Sequence, residues 1–139
     1  EIDIMNIYWL GDCYYQVFDY HKSIEQYNLF LQKISRSFFQ DEIWYSYTGS
    51  AQYNLAYSYW KLKQYEKSKE FFRKSINSSI DSQRKNDAYL RLADSYYMLK
   101  DFQNAIRYYD LASKSSSFDQ DYALYHSAKC SGLLSDYKK

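Results

Sequence analysis

The side chains best able to do chemistry in this sequence are few and scattered. Its two histidines, His21 and His126, stand more than 100 residues apart, and neither adjoins a Cys, a Ser-Gly pair or a carboxylate cluster. No general acid–base or nucleophilic arrangement is therefore written locally. Cys13 and Cys130 match neither a zinc-ligand spacing nor a redox pair, and both read as small core residues. Asp12 and Asp94 read as solvated polar residues, and no glycine-rich phosphate loop exists among only 3 glycines. Abundance lies instead in the aromatics: 19 Tyr, 8 Phe and 3 Trp in 139 residues. Tyr53, Tyr57 and Trp60 follow one another at spacings of four and three, which is one stripe of a helix. Rings with a polar handle are the chemistry of recognition rather than of bond-making. The same spacing also suits rings that pack on neighbouring helices.

The elements that position such a stripe follow from composition. Proline is absent and glycine rare, so the main helix breakers are missing and the chain is expected to be all-helical. With 46% hydrophobic residues there is material for a core, and disorder is excluded. Charge is balanced, 18 Lys and Arg against 17 Asp and Glu, which argues against nucleic acid as a partner. No apolar stretch is long enough to insert directly into a bilayer. The chain does not start with Met and stops after Tyr137-Lys138-Lys139, which reads as a piece cut from a longer protein.

Four segments share one register. Leu10-Gly11, Leu55-Ala56, Leu92-Ala93 and Ser127-Ala128 are each followed ten residues after their first member by an aromatic, at Tyr20, Tyr65, Phe102 and Tyr137. Both series step by 45, 37 and 35 residues, so two independent markers agree. Behind each of the first three aromatics comes a second helical stripe: Ser23, Tyr27 and Phe30 or Leu31; Ser68, Phe72 and Ser75 or Ile76; Ala105, Tyr109 and Ala112. The unit is helix, turn, helix. First helices are expected near 3–17, 41–62, 82–99 and 119–134, and second helices near 20–35, 65–79 and 102–116. Asp41, Asp81 and Asp119 stand where N-caps are needed. Gly11, Ala56, Ala93 and Ala128 are expected where paired helices approach to about 8 Å, a spacing only small side chains allow. Three repeats separate the cysteines, which excludes a disulfide between them.

In this ordered set the chain resembles the tetratricopeptide repeat. The third unit carries the pattern best, with Tyr89, Leu92, Ala93, Tyr96, Ala105, Tyr109 and Ala112. Departures are the missing proline after each second helix, with Ser35, Ile80 and Ser117 near that place, the Phe30 and Ser75 replacements, and a fourth unit with Ser131 in place of Tyr. The resemblance implies an all-α, right-handed α-α superhelix, a solenoid of about three and a half helix-turn-helix units. It would form one domain over 1–139, with units near 4–37, 41–80, 82–117 and a partial 119–139. It also implies a non-enzymatic module without cofactor or metal.

In this family the first helix of each pair lines a concave face that holds a protein or peptide. Carried over, that face takes Met5, Tyr8, Asp12 and Tyr15; Ser50, Tyr53, Asn54, Tyr57, Trp60 and Lys61; Asp87, Leu90, Arg91, Asp94 and Tyr97; and Tyr122, Tyr125, His126, Lys129 and Leu133. The peptide-binding residues expected among them are Tyr8, Tyr15, Tyr53, Asn54, Tyr57, Trp60, Lys61, Arg91, Tyr97, Tyr125 and Lys129, with the charged and amide members holding backbone or a carboxylate. The two-carboxylate clamp by which some members hold chaperone tails is not expected. Its places read Tyr8, Asp12, Asn54, Asp87 and Arg91, and two acids would repel the ligand. The alternative function is a structural scaffold or spacer in a multiprotein assembly. The unfinished fourth unit, near Ala128, Leu133 and Leu134, would then need a cap or a second copy, giving a homodimer. The Tyr, Lys, Ser and Phe bias is similar to that of bacterial members, and the third and fourth units resemble envelope-associated ones that help assemble outer-membrane or secretion machinery. That likeness implies a periplasm-facing place, with the cytoplasm as the alternative.

Overall fold

The computed structural model of the chain describes residues 2–37, 42–78, 80–114 and 119–137. Among these it is all α: α1 (Ile2–Gln16), α2 (Tyr20–Ser35), α3 (Glu42–Lys61), α4 (Tyr65–Ile76), α5 (Ser82–Met98), α6 (Phe102–Ser113) and α7 (Gln120–Tyr137). Each end lies within a few residues of the predicted one. The helices pack in chain order as antiparallel pairs, which makes about three and a half repeat units. They fall into two compact bodies, Glu1–Ile80 and Asp81–Lys139. In the first body α1 pairs with α2 and α3 with α4, and α2 also packs on α3. In the second α5 pairs with α6, and α6 packs on α7.

Each helix pair closes on the small residue foreseen from the repeat. Gly11, Ala56 and Ala93 are buried, and the second-helix stripe packs over them: Ser23, Tyr27 and Phe30, then Ser68, Phe72 and Ser75, then Ala105, Tyr109 and Ala112, all at 0% exposure. Two pairs add a bond that the sequence did not announce. Ser23 Oγ donates to the Gly11 carbonyl and Ser68 Oγ to the Ala56 carbonyl, each at 2.9 Å. A buried hydroxyl is thus satisfied by the backbone it lies against, which explains serine where the family pattern has alanine.

The turns are copies of one another. Phe18, Lys63 and Lys100, each eight residues after the Leu position, take φ of 64°, 60° and 60°. Around each the chain makes the paired bonds of a Schellman stop. Phe18 N–H donates to Tyr15 O and Asp19 N–H to Tyr14 O; the same pairs recur from Lys63 to Trp60, Gln64 to Tyr59, Lys100 to Tyr97 and Asp101 to Tyr96, at 2.9–3.0 Å. Glycine is the usual residue in this left-handed conformation, and its absence here is a local cost that tertiary packing offsets. Asp19, Asp81 and Asp101 cap the helices that follow by accepting from the N–H three residues on. Asp81 was the expected cap of α5; the Asp119 carbonyl accepts the Ala123 N–H just before α7. Asp41 lies outside the described residues.

Three expectations are corrected at the chain's open ends. Ala128 is exposed, because among the described residues no helix follows α7 to pair with it. Cys130 is buried but Cys13 is exposed, because among the described residues no helix covers that side of α1 as α6 covers α7. Helix α7 also runs on through Tyr137, past the turn expected at Asp136, having nothing described to fold back against.

Two of the three helical glycines, Gly11 and Gly132, give opposite expectations. A Cβ at Gly132 meets nothing within 4 Å, so Gly132→Ala should stabilise by about 0.5–1 kcal/mol through helix propensity alone. A Cβ at Gly11 would stand 3.1 Å from the Tyr27 ring, which has 0% exposure and no room to give. Gly11→Ala should therefore lower the denaturation midpoint despite the same propensity gain. Urea denaturation followed by circular dichroism reads both signs.

Candidate functional site

The face carried by the first helices divides between the two bodies. In the first body Tyr53, Tyr57 and Trp60 of α3 stand half-buried in a row. Tyr53 and Tyr57 meet edge-on at 5.1 Å, and both lie against Phe72, at 6.1 and 5.1 Å. Trp60 is braced edge-on by Tyr65 at 4.9 Å. Tyr15 in α1 holds the same repeat place as Trp60 and is braced likewise by Tyr20 at 5.9 Å; in the second body Tyr97 is braced by Phe102 at 5.7 Å. The turn aromatics thus fix one ring of this face in each complete unit. The rings pack on the following helix and remain half-exposed.

Tyr8 does not belong to this face. It is 6% exposed, packed edge-on against Tyr27, Phe30 and Tyr47 at 5.0–5.8 Å. Leu90, at the same repeat position, is equally buried, while Tyr125 in the unfinished unit is 65% exposed because no second helix closes over it. Lys61 is exposed. Asn54 is half-buried, and its Nδ2 donates to the Tyr27 hydroxyl at 3.0 Å. Burial raises the Tyr27 phenol far above its ordinary range, partly offset by that bond.

In the second body the face is built around a carboxylate. Asp94, expected to be solvated, is buried. Its Oδ1 accepts the Tyr109 hydroxyl at 2.5 Å and the Tyr122 hydroxyl at 3.1 Å, and its Oδ2 accepts Arg91 Nη1 at 2.7 Å. Arg91 also lies 3.6 Å from Asp87. Burial, and then Asp94, push the Tyr109 phenol far up and the Tyr122 phenol up to about 12, so both are fixed as donors. His126 stacks in this cluster, 4.1 Å from Tyr122 and 5.6 Å from Tyr109 between ring centroids, with its Nδ1 buried and without a hydrogen-bond partner. Lys129 is exposed, its ammonium 5.4 Å from the Tyr97 ring centroid.

The signal for the Asp94 network was present in the repeat but went unread. Where the central second-helix ring is Tyr, at 27 and 109, the first helix of that unit carries Asp at 12 and 94. Where the ring is Phe72, the same place carries Tyr57. A buried phenol needs an acceptor or donor and a phenyl ring does not.

A further concavity of about 410 Å³ opens in the first body on the side of α3 away from the aromatic row. Leu31 and Ile34 of α2, Trp44, Tyr45, Thr48 and Gln52 of α3, and Phe71 and Lys74 of α4 line it. Among the described residues no group of His, Cys, Asp or Glu could hold a metal, and no helix is long and apolar enough to cross a membrane.

Copies of one α-hairpin, joined by one turn and closed on one small residue, define a helical repeat protein. Residues 47–117 match the sequence model of the tetratricopeptide repeat, and the chain belongs to that family, whose members generally serve in protein–protein interaction. Among solved structures the chain is similar to the TPR2AB-domain:pHSP90-complex of yeast Sti1, with a TM-score of 0.66 and 16% identity over 97% of this chain and 48% of that one. That likeness is one of fold, and the chain spans about half the length of that relative. No curated protein matches the chain.

Two outcomes follow. Asp94→Ala strands two phenol hydroxyls and leaves Arg91 only its longer contact with Asp87 among the two acids, and should cost about 2–4 kcal/mol of unfolding free energy. Asp12→Ala should cost much less, since Asp12 is half-buried and Tyr27 keeps Asn54; urea titrations rank the two. His126 is held below its ordinary 6.5 by burial and secondarily by Lys129, against a raising effect of Asp94. The unfolded chain therefore takes up this proton first. Its contribution is complete above about pH 6.5 and fades as pH falls through the folded value. His126→Gln should flatten that acid limb when midpoints are compared between about pH 5 and pH 8; an unchanged limb contradicts the burial argument.

Proposed function

We propose that the chain is a protein-binding module and that the row Tyr53, Tyr57 and Trp60, edged by Tyr15, Asn54 and Lys61, captures an extended segment of a partner protein. The observation that carries this reading is the bracing of the rings. Phe72 and Tyr65 hold them in place before any ligand arrives, so little side-chain entropy is lost on binding. Each ring keeps an accessible edge, and the tyrosine hydroxyls, the indole N–H and the Lys61 ammonium can meet backbone amides and one carboxylate. In the second body Arg91, Tyr97, Tyr125 and Lys129 make a separate contact for such a segment.

The pHSP90 ligand of the Sti1 structure is not part of this reading. Arg91 is engaged by Asp94 and Asp87, Asn54 by Tyr27, and Tyr8 is buried, so the places of a two-carboxylate clamp offer no cluster of uncommitted donors. The partner fitted here presents apolar or aromatic side chains and at most one acid to each body.

Peptides selected from a displayed random library against the whole chain test this. Their affinity should fall at least about tenfold on Trp60→Ala and on Tyr57→Ala, with helical circular dichroism retained. Binding that ignores both changes but fails on Tyr45→Ala would move the site to the concavity behind α3. Failure to select any peptide would leave the spacer reading in its place.

A further inference from the structure

The first interval of the repeat is the longest, 45 residues against 37 and 35, and part of the surplus is helix. Counted from its turn aromatic, α2 has 16 residues where α4 and α6 have 12, so it runs one turn further, through Gln32, Ile34 and Ser35. Helix α3 has 20 residues where α5 has 17. Its surplus lies ahead of the repeat Leu, at the end that carries Trp44 and Tyr45. Both extensions line the concavity behind α3, and Phe71 and Lys74 of α4 stand in the same lining. The other hairpins lack these extensions, so the concavity is a feature of this chain and not of the repeat. The aromatic row lies on the other side of α3 and makes no use of it.

We propose that this concavity is a second binding site, and that it takes a small aromatic carboxylate. Its volume of about 410 Å³ falls within the range of small-ligand sites, about 300–1,000 Å³. Three rings, Trp44, Tyr45 and Phe71, supply the apolar part and suit a flat aromatic body. Phe71 is fixed in place: it is buried and stacked on Tyr59 at 5.7 Å, and Asn28 Nδ2 donates to the Tyr59 hydroxyl at 3.3 Å. Charge selects the other part of the ligand. Among the described residues the lining holds one charged side chain, Lys74, and no acid. The Lys74 ammonium lies 4.7 Å from the Phe71 ring centroid, so a ligand packed on that ring meets a cation beside it. A cationic ligand is repelled there and a carboxylate is paired. Glu70, 3.0 Å from the ammonium, lies outside the lining, and the two form an exposed pair of the kind that holds weakly. The ammonium therefore turns to a ligand carboxylate at little cost. Ser78 Oγ lies 2.5 Å from Gln52 Oε1 and 3.0 Å from the Lys74 carbonyl. The Gln52 amide is thus tied to the turn of α4 that carries the ammonium, and its Nε2 is a neutral donor to the same carboxylate.

The test is calorimetric titration of the whole chain with 2-naphthaleneacetate and with its neutral analogue 2-naphthaleneacetamide. The carboxylate is expected to bind saturably at one site, at least about tenfold more tightly than the amide. Lys74→Gln should remove that advantage and leave the amide's own affinity as it was. Tyr45→Ala should weaken the carboxylate at least about tenfold. Tyr45 is 53% exposed and Lys74 is exposed, so neither change disturbs the fold, and helical circular dichroism checks this. Tyr57→Ala, which breaks the aromatic row, should leave the titration unchanged, so this site stands or falls apart from the row. No binding of the carboxylate, equal binding of the amide, or binding indifferent to Tyr45→Ala would overturn the inference. So would tighter binding of the tripeptide Gly-Gly-Trp with a free carboxylate, which would give the site to the end of a protein chain.

Discussion

Everything else in the molecule hangs on one approach: a second helix closing over a residue with almost no side chain. At Gly11, Ala56 and Ala93 the missing bulk lets the facing stripe, Ser23 to Phe30, Ser68 to Ser75 or Ala105 to Ala112, reach full burial. At two of the three the contact is close enough for a serine hydroxyl to bond the opposite backbone. Burial of one large apolar side chain is worth about 1.5–3 kcal/mol, and each hairpin supplies several, so the pairing outweighs the left-handed turn residues that connect the helices.

That closure also shapes the proposed recognition surface. Because the turn aromatic must lie over the hairpin, it comes to rest against the ring one position past the Tyr of the repeat, at Tyr15, Trp60 and Tyr97. Rings braced from below present edges above. The surface is thus a by-product of packing and is rigid for the same reason. The second body differs only in chemistry. There a buried carboxylate takes the place that Tyr57 holds in the first, and the hydroxyls of Tyr109 and Tyr122 are spent on it rather than offered outward.

The ends of the array obey the same rule by violating it. Where no preceding helix is described, Leu10 and Cys13 of α1 and Val17 just after it are uncovered; where no following helix is described, Leu124, Tyr125 and Ala128 of α7 are uncovered. A residue's repeat position therefore predicts its burial only inside the array. This is why the two cysteines, alike in register, differ in exposure.

The sequence by itself determined the fold class, the seven helices, the turn positions and the small-residue contacts, because these are set by periodicity and size, which recur at fixed spacing and are read without partners. It also placed Tyr53, Tyr57 and Trp60 in one row of α3, and Tyr15, Trp60 and Tyr97 at one repeat position. Only the tertiary structure decided that Tyr8 is core, that Asp94 is buried and bonded, that Asn54 serves Tyr27, and that a second concavity lies behind α3. Those outcomes depend on which side chains from different helices meet. The depth of a polar group is fixed by the helix packed over it, and a helical period carries no information about that neighbour.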